Sequence, residues 1–244
     1  MEVVGEGLKM LPHDRGITLK EAFTAALVFI ALQFVVLAIG EVHSQPDAGI
    51  PAAWKQLIAN LVAASGLILA GWSIARDRFL VAGLAGVGMV RLSGRSVFSC
   101  SFAGLLLGIV VVVLTQFFDS AREPSPLIGR VYFEGGISIL LAWIFSVLVI
   151  APIGEEMLCR GFILPALAKK IGALPAVIAA AFVFLLPHIS QIGGYWVAAA
   201  GIFSLGVVAG IARVRTGSVV AAMVAHASYN VVPVAFVLWD QFLA

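Results

Sequence analysis

Between Ala151 and Lys170 the chain reads APIGEEMLCRGFILPALAKK, apolar at nearly every position until the two terminal lysines except Glu155, Glu156 and Arg160. An ionised side chain at the centre of a bilayer costs about 2.5 to 3.5 kcal/mol even on insertion scales, so such residues require partners and mark function. Residues four apart share one helix face, and glutamate placed N-terminal to arginine is the favourable order, which pairs Glu156 with Arg160. Glu155 points about 100° away from Glu156, given 3.6 residues per turn. Its own i+4 neighbour is Cys159, so its partner must come from another helix.

Two of the four histidines interrupt apolar runs: His188 in FVFLLPHIS and His226 in VVAAMVAHASYNVVP. If a turn centres on Lys170 to Gly172, Glu155 and His188 lie about equally far from it, and antiparallel helices rising 1.5 Å per residue bring them level. His226 and Asn230 stand at i and i+4 and aim two polar groups at one place. Pro152, Pro187 and Pro233 accompany the three clusters, and each removes a backbone donor, freeing the carbonyls of Leu148, Val183 and Tyr229 in a regular α-helix. Freed carbonyls at membrane depth are tolerated where protein or water satisfies them, so the pattern predicts a hydrated cavity. His13 and His43 fall in polar segments and carry no signal.

The elements that must position these groups follow from composition. Of 244 residues 61% are hydrophobic and 11% charged, with a mean hydropathy of +1.08, against roughly a quarter charged in an ordinary soluble domain. This predicts an all-α, polytopic transmembrane bundle of about seven to eight spans, forming a single integral membrane domain over residues 1–244. Seven segments reach or approach the roughly 20 residues a crossing needs: 22–41, 57–75, 99–118, 135–153 continuing past the charges, 173–190, 195–212 and 218–238. An eighth apolar run, 79–90, is short and reads as a re-entrant or interfacial helix. The mixed-charge start, MEVVGEGLKMLPHDRGITLK, lacks the form of a cleavable signal, so the first span is expected to stay as an anchor.

With the N-terminus cytoplasmic, the inner side holds Lys9, Arg15, Lys20, Arg76, Arg78, Arg91, Arg95, Arg160, Lys169, Lys170, Arg213 and Arg215, and the outer side Lys55, Arg122 and Arg130. That bias of twelve to three sets the orientation. Gly104/Gly108 and Gly206/Gly210 are small-xxx-small pairs suited to close helix packing, with dimerisation as the lesser reading. Cys100 and Cys159 read as structural thiols. No basic cluster suggests nucleic acid, so the expected partners are the lipid bilayer and a peptide or protein substrate at the membrane.

EEMLCR at 155–160 fits an EExxxR motif, FLLPH at 184–188 fits FxxxH, and HASYN at 226–230 fits HxxxN. In this order the three motifs resemble the CAAX protease and bacteriocin-processing family of intramembrane, glutamate-dependent endopeptidases, related to the Ras-converting CAAX prenyl endopeptidases. The resemblance covers residues 133–238 as a catalytic core, with RTGS at 215–218 leading into the last motif, and leaves 1–130 as N-terminal spans without a recognised motif. It implies that Glu155 activates water with the help of His188, that His226 and Asn230 form an oxyanion hole, and that Glu156, Arg160 and Phe184 support the site. Pro187, beside His188, departs from the pattern and can reorient that ring.

The resemblance implies no cofactor. A second enzymatic reading makes Glu155, His188 and His226 ligands of zinc, although no HExxH motif occurs. A third, non-enzymatic reading is a transporter or an immunity protein, because proton relays also use intramembrane Glu, His and Arg. GxSG and GxGD are absent. The expected location is the inner or plasma membrane if the source is prokaryotic and the endoplasmic reticulum if eukaryotic, with the cavity facing the cytosol.

Overall fold

A computed structural model describes residues 17–42, 52–118, 127–192 and 195–242. His13 and His43, and the charges Lys9, Arg15 and Arg122, lie outside them. Every regular element among the described residues is helical: α1 (Leu19–Val42), α2 (Ala52–Ala82), α3 (Gly94–Phe118), α4 (Leu127–Phe145), α5 (Ala151–Glu156), α6 (Leu164–Ile171), α7 (Ala173–Leu185), α8 (Ile189–Ile192), α9 (Trp196–Thr216) and α10 (Val219–Phe242). Among these residues four helical stretches are long and apolar enough to cross a membrane: Gly94–Phe118, Gly136–Ile171, Trp196–Thr216 and Val219–Asp240. Large apolar side chains such as Phe98, Phe117, Leu174 and Trp196 face outward, as expected of surfaces that meet acyl chains rather than water.

The stretch from Gly136 to Ile171 is bent. Gly136 breaks α4 with φ 69°. Farther on, π-helical turns over Ser146–Ile150 and Met157–Ile163 flank the six residues of α5. Pro152 and Pro165 follow the two π turns, and each ring would collide with the carbonyl four residues earlier in a tight α register. Opening the turn by one residue relieves that collision. The sequence reading freed the carbonyl of Leu148 at Pro152, and the π register moves the vacant acceptor back to Val147. Ala151 gives its N–H to Ser146 O, so Val147 O has lost its α-register donor, and residue 152, its π-register donor, is a proline.

At the end of α6 Gly172 takes φ 82°, a conformation rarely open to other residues, and turns the chain straight into α7. The run 79–90 forms no separate helix, contrary to the sequence reading. Its first residues complete α2, Gly83–Val87 make a 3-10 turn, and Gly88 (φ 79°) leads out of it. This connection is tied to the start of α10, where Val219 N–H donates to Gly88 O at 2.8 Å and Ser218 Oγ donates to Val90 O at 2.7 Å. Long-range hydrogen bonds to the start of α10 thus replace the independent interfacial helix.

Both glycine pairs are used inside the chain. Gly104 and Gly108 on α3 admit the backbone of α10 at Ala225 and Tyr229, and Gly206 and Gly210 on α9 admit Ala181 and Val177 of α7. A Cβ at position 104 would drive into the Ala225 carbonyl, which is main chain and cannot swing aside. Gly104→Ala is therefore expected to lower stability by about 1 to 3 kcal/mol. Thermal unfolding in detergent measures it, and an unchanged midpoint would show that the seam can open freely.

Candidate active site

Glu156 is fully buried on α5 and Arg160 on the π turn that follows. Arg160 Nη1 donates to Glu156 Oε1 at 3.0 Å and lies 2.9 Å from Oε2. Its Nη2 donates to Gly206 O at 2.7 Å. His226 Nδ1, on α10, lies 2.9 Å from Glu156 Oε1. A carboxylate already facing a guanidinium accepts and does not donate, so the hydrogen belongs on Nδ1.

This arrangement fixes the tautomer of His226. The family resemblance assigns His226, with Asn230, to an oxyanion hole. With its hydrogen held on Nδ1 by Glu156, neutral His226 presents a lone pair at Nε2, and only the doubly protonated ring donates there. The rotation of α5 turns Glu156, not Glu155, toward α10.

Glu155 faces the α7 side. Its Oε2 lies 4.0 Å from His188 Nε2, too long for a direct hydrogen bond. That oxygen is buried and has no hydrogen-bond partner. After α7, Pro187 tightens the chain into a 3-10 turn over Leu186–His188, and the His188 ring folds back so that Nδ1 lies 2.8 Å from Phe184 O. A carbonyl only accepts, so Nδ1 carries the hydrogen and neutral His188 offers a lone pair at Nε2. Two acceptors therefore face one another across the gap. Pro187 leaves the ring aimed at Glu155.

Asn230 lies one turn beyond His226 on α10, but its amide does not join the Glu155 and His188 gap directly. Nδ2 donates to Val147 O at 2.9 Å, the carbonyl left without a backbone donor before Pro152. The second N–H of the same nitrogen is not engaged by that bond. Phe184, 1% exposed, packs among the polar groups. Its ring centroid lies 5.1 Å from that of His188 and 5.5 Å, edge to face, from that of His226, and the Arg160 guanidinium carbon stands 4.7 Å above it. One aromatic ring thus spaces two imidazoles and a cation.

Arg213 was counted in the sequence as a charge at a helix end. It is buried, and its Nε donates to Arg160 O at 3.2 Å. Arg215, two residues on and near the opposite side of α9, is exposed. That two-residue spacing was the available signal, since residues two apart lie near opposite sides of a helix and a helix packed in a bundle turns one side inward. Because Arg160 and Arg213 lie inside the bundle, they are not loop charges, and the inner-side total of twelve falls to ten against three. Among the described residues no three His, Cys, Asp or Glu side chains converge as a metal site, so the zinc reading gains no ligand set from the geometry. Cys100 and Cys159 are buried free thiols.

Fold and site together define an all-helical integral membrane protein with a glutamate and histidine cluster built between its helices. Residues 137–232 match the family model described as type II CAAX prenyl endopeptidase Rce1-like, and the CAAX protease resemblance carried by the three motifs is borne out over that segment. No curated protein and no solved structure matches the chain.

Proposed function

We propose that the protein is an intramembrane endopeptidase of the CAAX type that hydrolyses a peptide bond of a membrane-associated substrate with a water activated by Glu155. The observation that carries this reading is the buried, unpartnered Glu155 Oε2 opposite His188 Nε2 at 4.0 Å. A carboxylate and an imidazole lone pair can each accept one hydrogen of the same water, which leaves the water's own lone pair directed outward for attack. The water oxygen bonds to the substrate carbonyl carbon while its proton passes to Glu155. Collapse of the tetrahedral intermediate breaks the C–N bond, and that proton goes to the departing amine.

The charge that develops on the carbonyl oxygen needs donors. His226, through Nε2 when that nitrogen carries a hydrogen, and the second Asn230 N–H are the groups this reading assigns, and one such donor is typically worth about 2.7 to 4 kcal/mol to the transition state. The Glu156 carboxylate accepts from His226 Nδ1 and orients the ring, a role like that of the acid behind a catalytic histidine in hydrolases. Glu156, Arg160 and Phe184 hold the constellation and do not touch the reacting atoms.

The chain is read as a bundle of about seven to eight spans with the N-terminus cytosolic and the site open to the cytosolic face, an orientation supported by the loop charges. No cofactor is assigned. Detergent-solubilised protein stripped exhaustively by chelator should retain full cleavage, and activity that vanishes and returns with zinc would replace the Glu155 mechanism by a metal-bound nucleophile. The substrate is found by comparing membrane peptidomes of cells carrying the wild type and Glu155→Ala. A peptide that accumulates uncut in the variant is the expected result, and identical peptidomes would count against peptidase activity.

A further inference from the structure

The two π turns that flank α5 share one construction. At the first, Ala151 gives its N–H to Ser146 O, residue 152 is a proline, and the orphaned Val147 O is taken by Asn230 Nδ2 of α10 at 2.9 Å. At the second, Leu164 gives its N–H to Cys159 O and so deserts Arg160 O. The π-register donor would be residue 165, which is also a proline. The orphaned Arg160 O is taken by Arg213 Nε of α9 at 3.2 Å. In both cases an α-register donor has moved one residue back, a proline closes the other route, and a side chain from a different helix supplies the missing hydrogen. A buried carbonyl without any donor is costly, so each bond fastens its hinge.

Between the hinges lie the six residues Ala151–Glu156, and their rotation decides which carboxylate faces which histidine. Glu155 meets His188 and Glu156 meets His226 and Arg160 only at the observed phase. A π turn resets the phase of everything beyond it, because it holds one more residue than an α turn. From these two hinges we infer that Arg213 is a positioning residue for the glutamate pair, acting through the Arg160 carbonyl, as Asn230 acts at the other hinge through Val147. Nothing in the three motifs includes Arg213.

The effect on turnover rests on the peptidase reading, while the coupling between Arg213 and Pro165 does not. The experiment compares wild type, Arg213→Met, Pro165→Ala and the double variant in detergent, by melting temperature and by kcat and KM. Removing the guanidinium also removes its other contacts, and Pro165→Ala tests the one bond by returning a backbone N–H to Arg160 O in the π register, its kcat as a single variant reporting whether the turn keeps that register. Arg213→Met is expected to lose about 10- to 100-fold in kcat, as misplacement of reacting groups by a fraction of a residue does, with KM within about twofold. Pro165→Ala in that background should restore most of the lost kcat and melting temperature, a non-additivity expected only of groups that share a partner.

Wild-type kcat in Arg213→Met overturns the inference, and so does a double variant no better than Arg213→Met. Should Arg213→Met aggregate, a monodisperse double variant supports the inference and an aggregated one overturns it. A wild type that cleaves no peptide removes the peptidase reading alone, since rescue of melting temperature still decides the coupling.

Discussion

Glu155→Gln is expected to abolish peptide-bond cleavage and leave the protein folded. Glutamine fills the same space, but its amide cannot take a proton from water, and removal of a positioned general base typically lowers turnover about 10²- to 10⁴-fold. An amide N–H standing where Oε2 stands donates and cannot accept, so the water loses one of its two acceptors. The fold should tolerate it, because Glu155 Oε2 has no hydrogen-bond partner to lose. Cleavage of a membrane-anchored peptide beside a melting curve checks both halves. Turnover within twofold of the wild type would remove Glu155 from the chemistry.

Glu156→Gln, one residue along, is expected to act on stability. Glu156 and Arg160 are both fully buried, and removing one member of a buried pair leaves an uncompensated charge, with a typical loss of about 3 to 5 kcal/mol. The same change weakens the hold on His226 Nδ1, which lies 2.9 Å from Oε1. A lower melting temperature and poor recovery in detergent are therefore expected, with activity falling in parallel. Replacing the pair together, as Glu156→Gln with Arg160→Met, should recover part of the stability because the Arg160 guanidinium is no longer left buried without its carboxylate. If Glu156→Gln melts with the wild type, the pair is solvated and the buried reading fails.

Local spacing made part of the site legible. Glu156 and Arg160 stand four apart on one chain, and the hairpin at Gly172 put Glu155 level with His188 from residue counts alone. The partner of His226 was not legible, because it depends on the rotation of α5, and that rotation is set by two π turns that an assumed 3.6-residue period cannot express. The same assumption pointed to Leu148 as the freed carbonyl, where the structure has Val147. Arg213 escaped notice because an arginine near the end of an apolar segment is ordinarily a loop charge. The long hydrophobic runs announced helices and a membrane, but the fate of 79–90 was decided by hydrogen bonds to Ser218 and Val219 that lie 128 and more residues away.

The seam at Gly104 and Gly108 bears on what could be cut from this chain. The stretch that carries all three motifs begins after α3, yet α10, which holds His226 and Asn230, rests its main chain in the notch those two glycines leave. A fragment starting at residue 137 would keep every signature residue and lose the wall behind two of them. The motif-free half is thus the mould in which the recognisable half is cast, and homology in this molecule ends well short of autonomy.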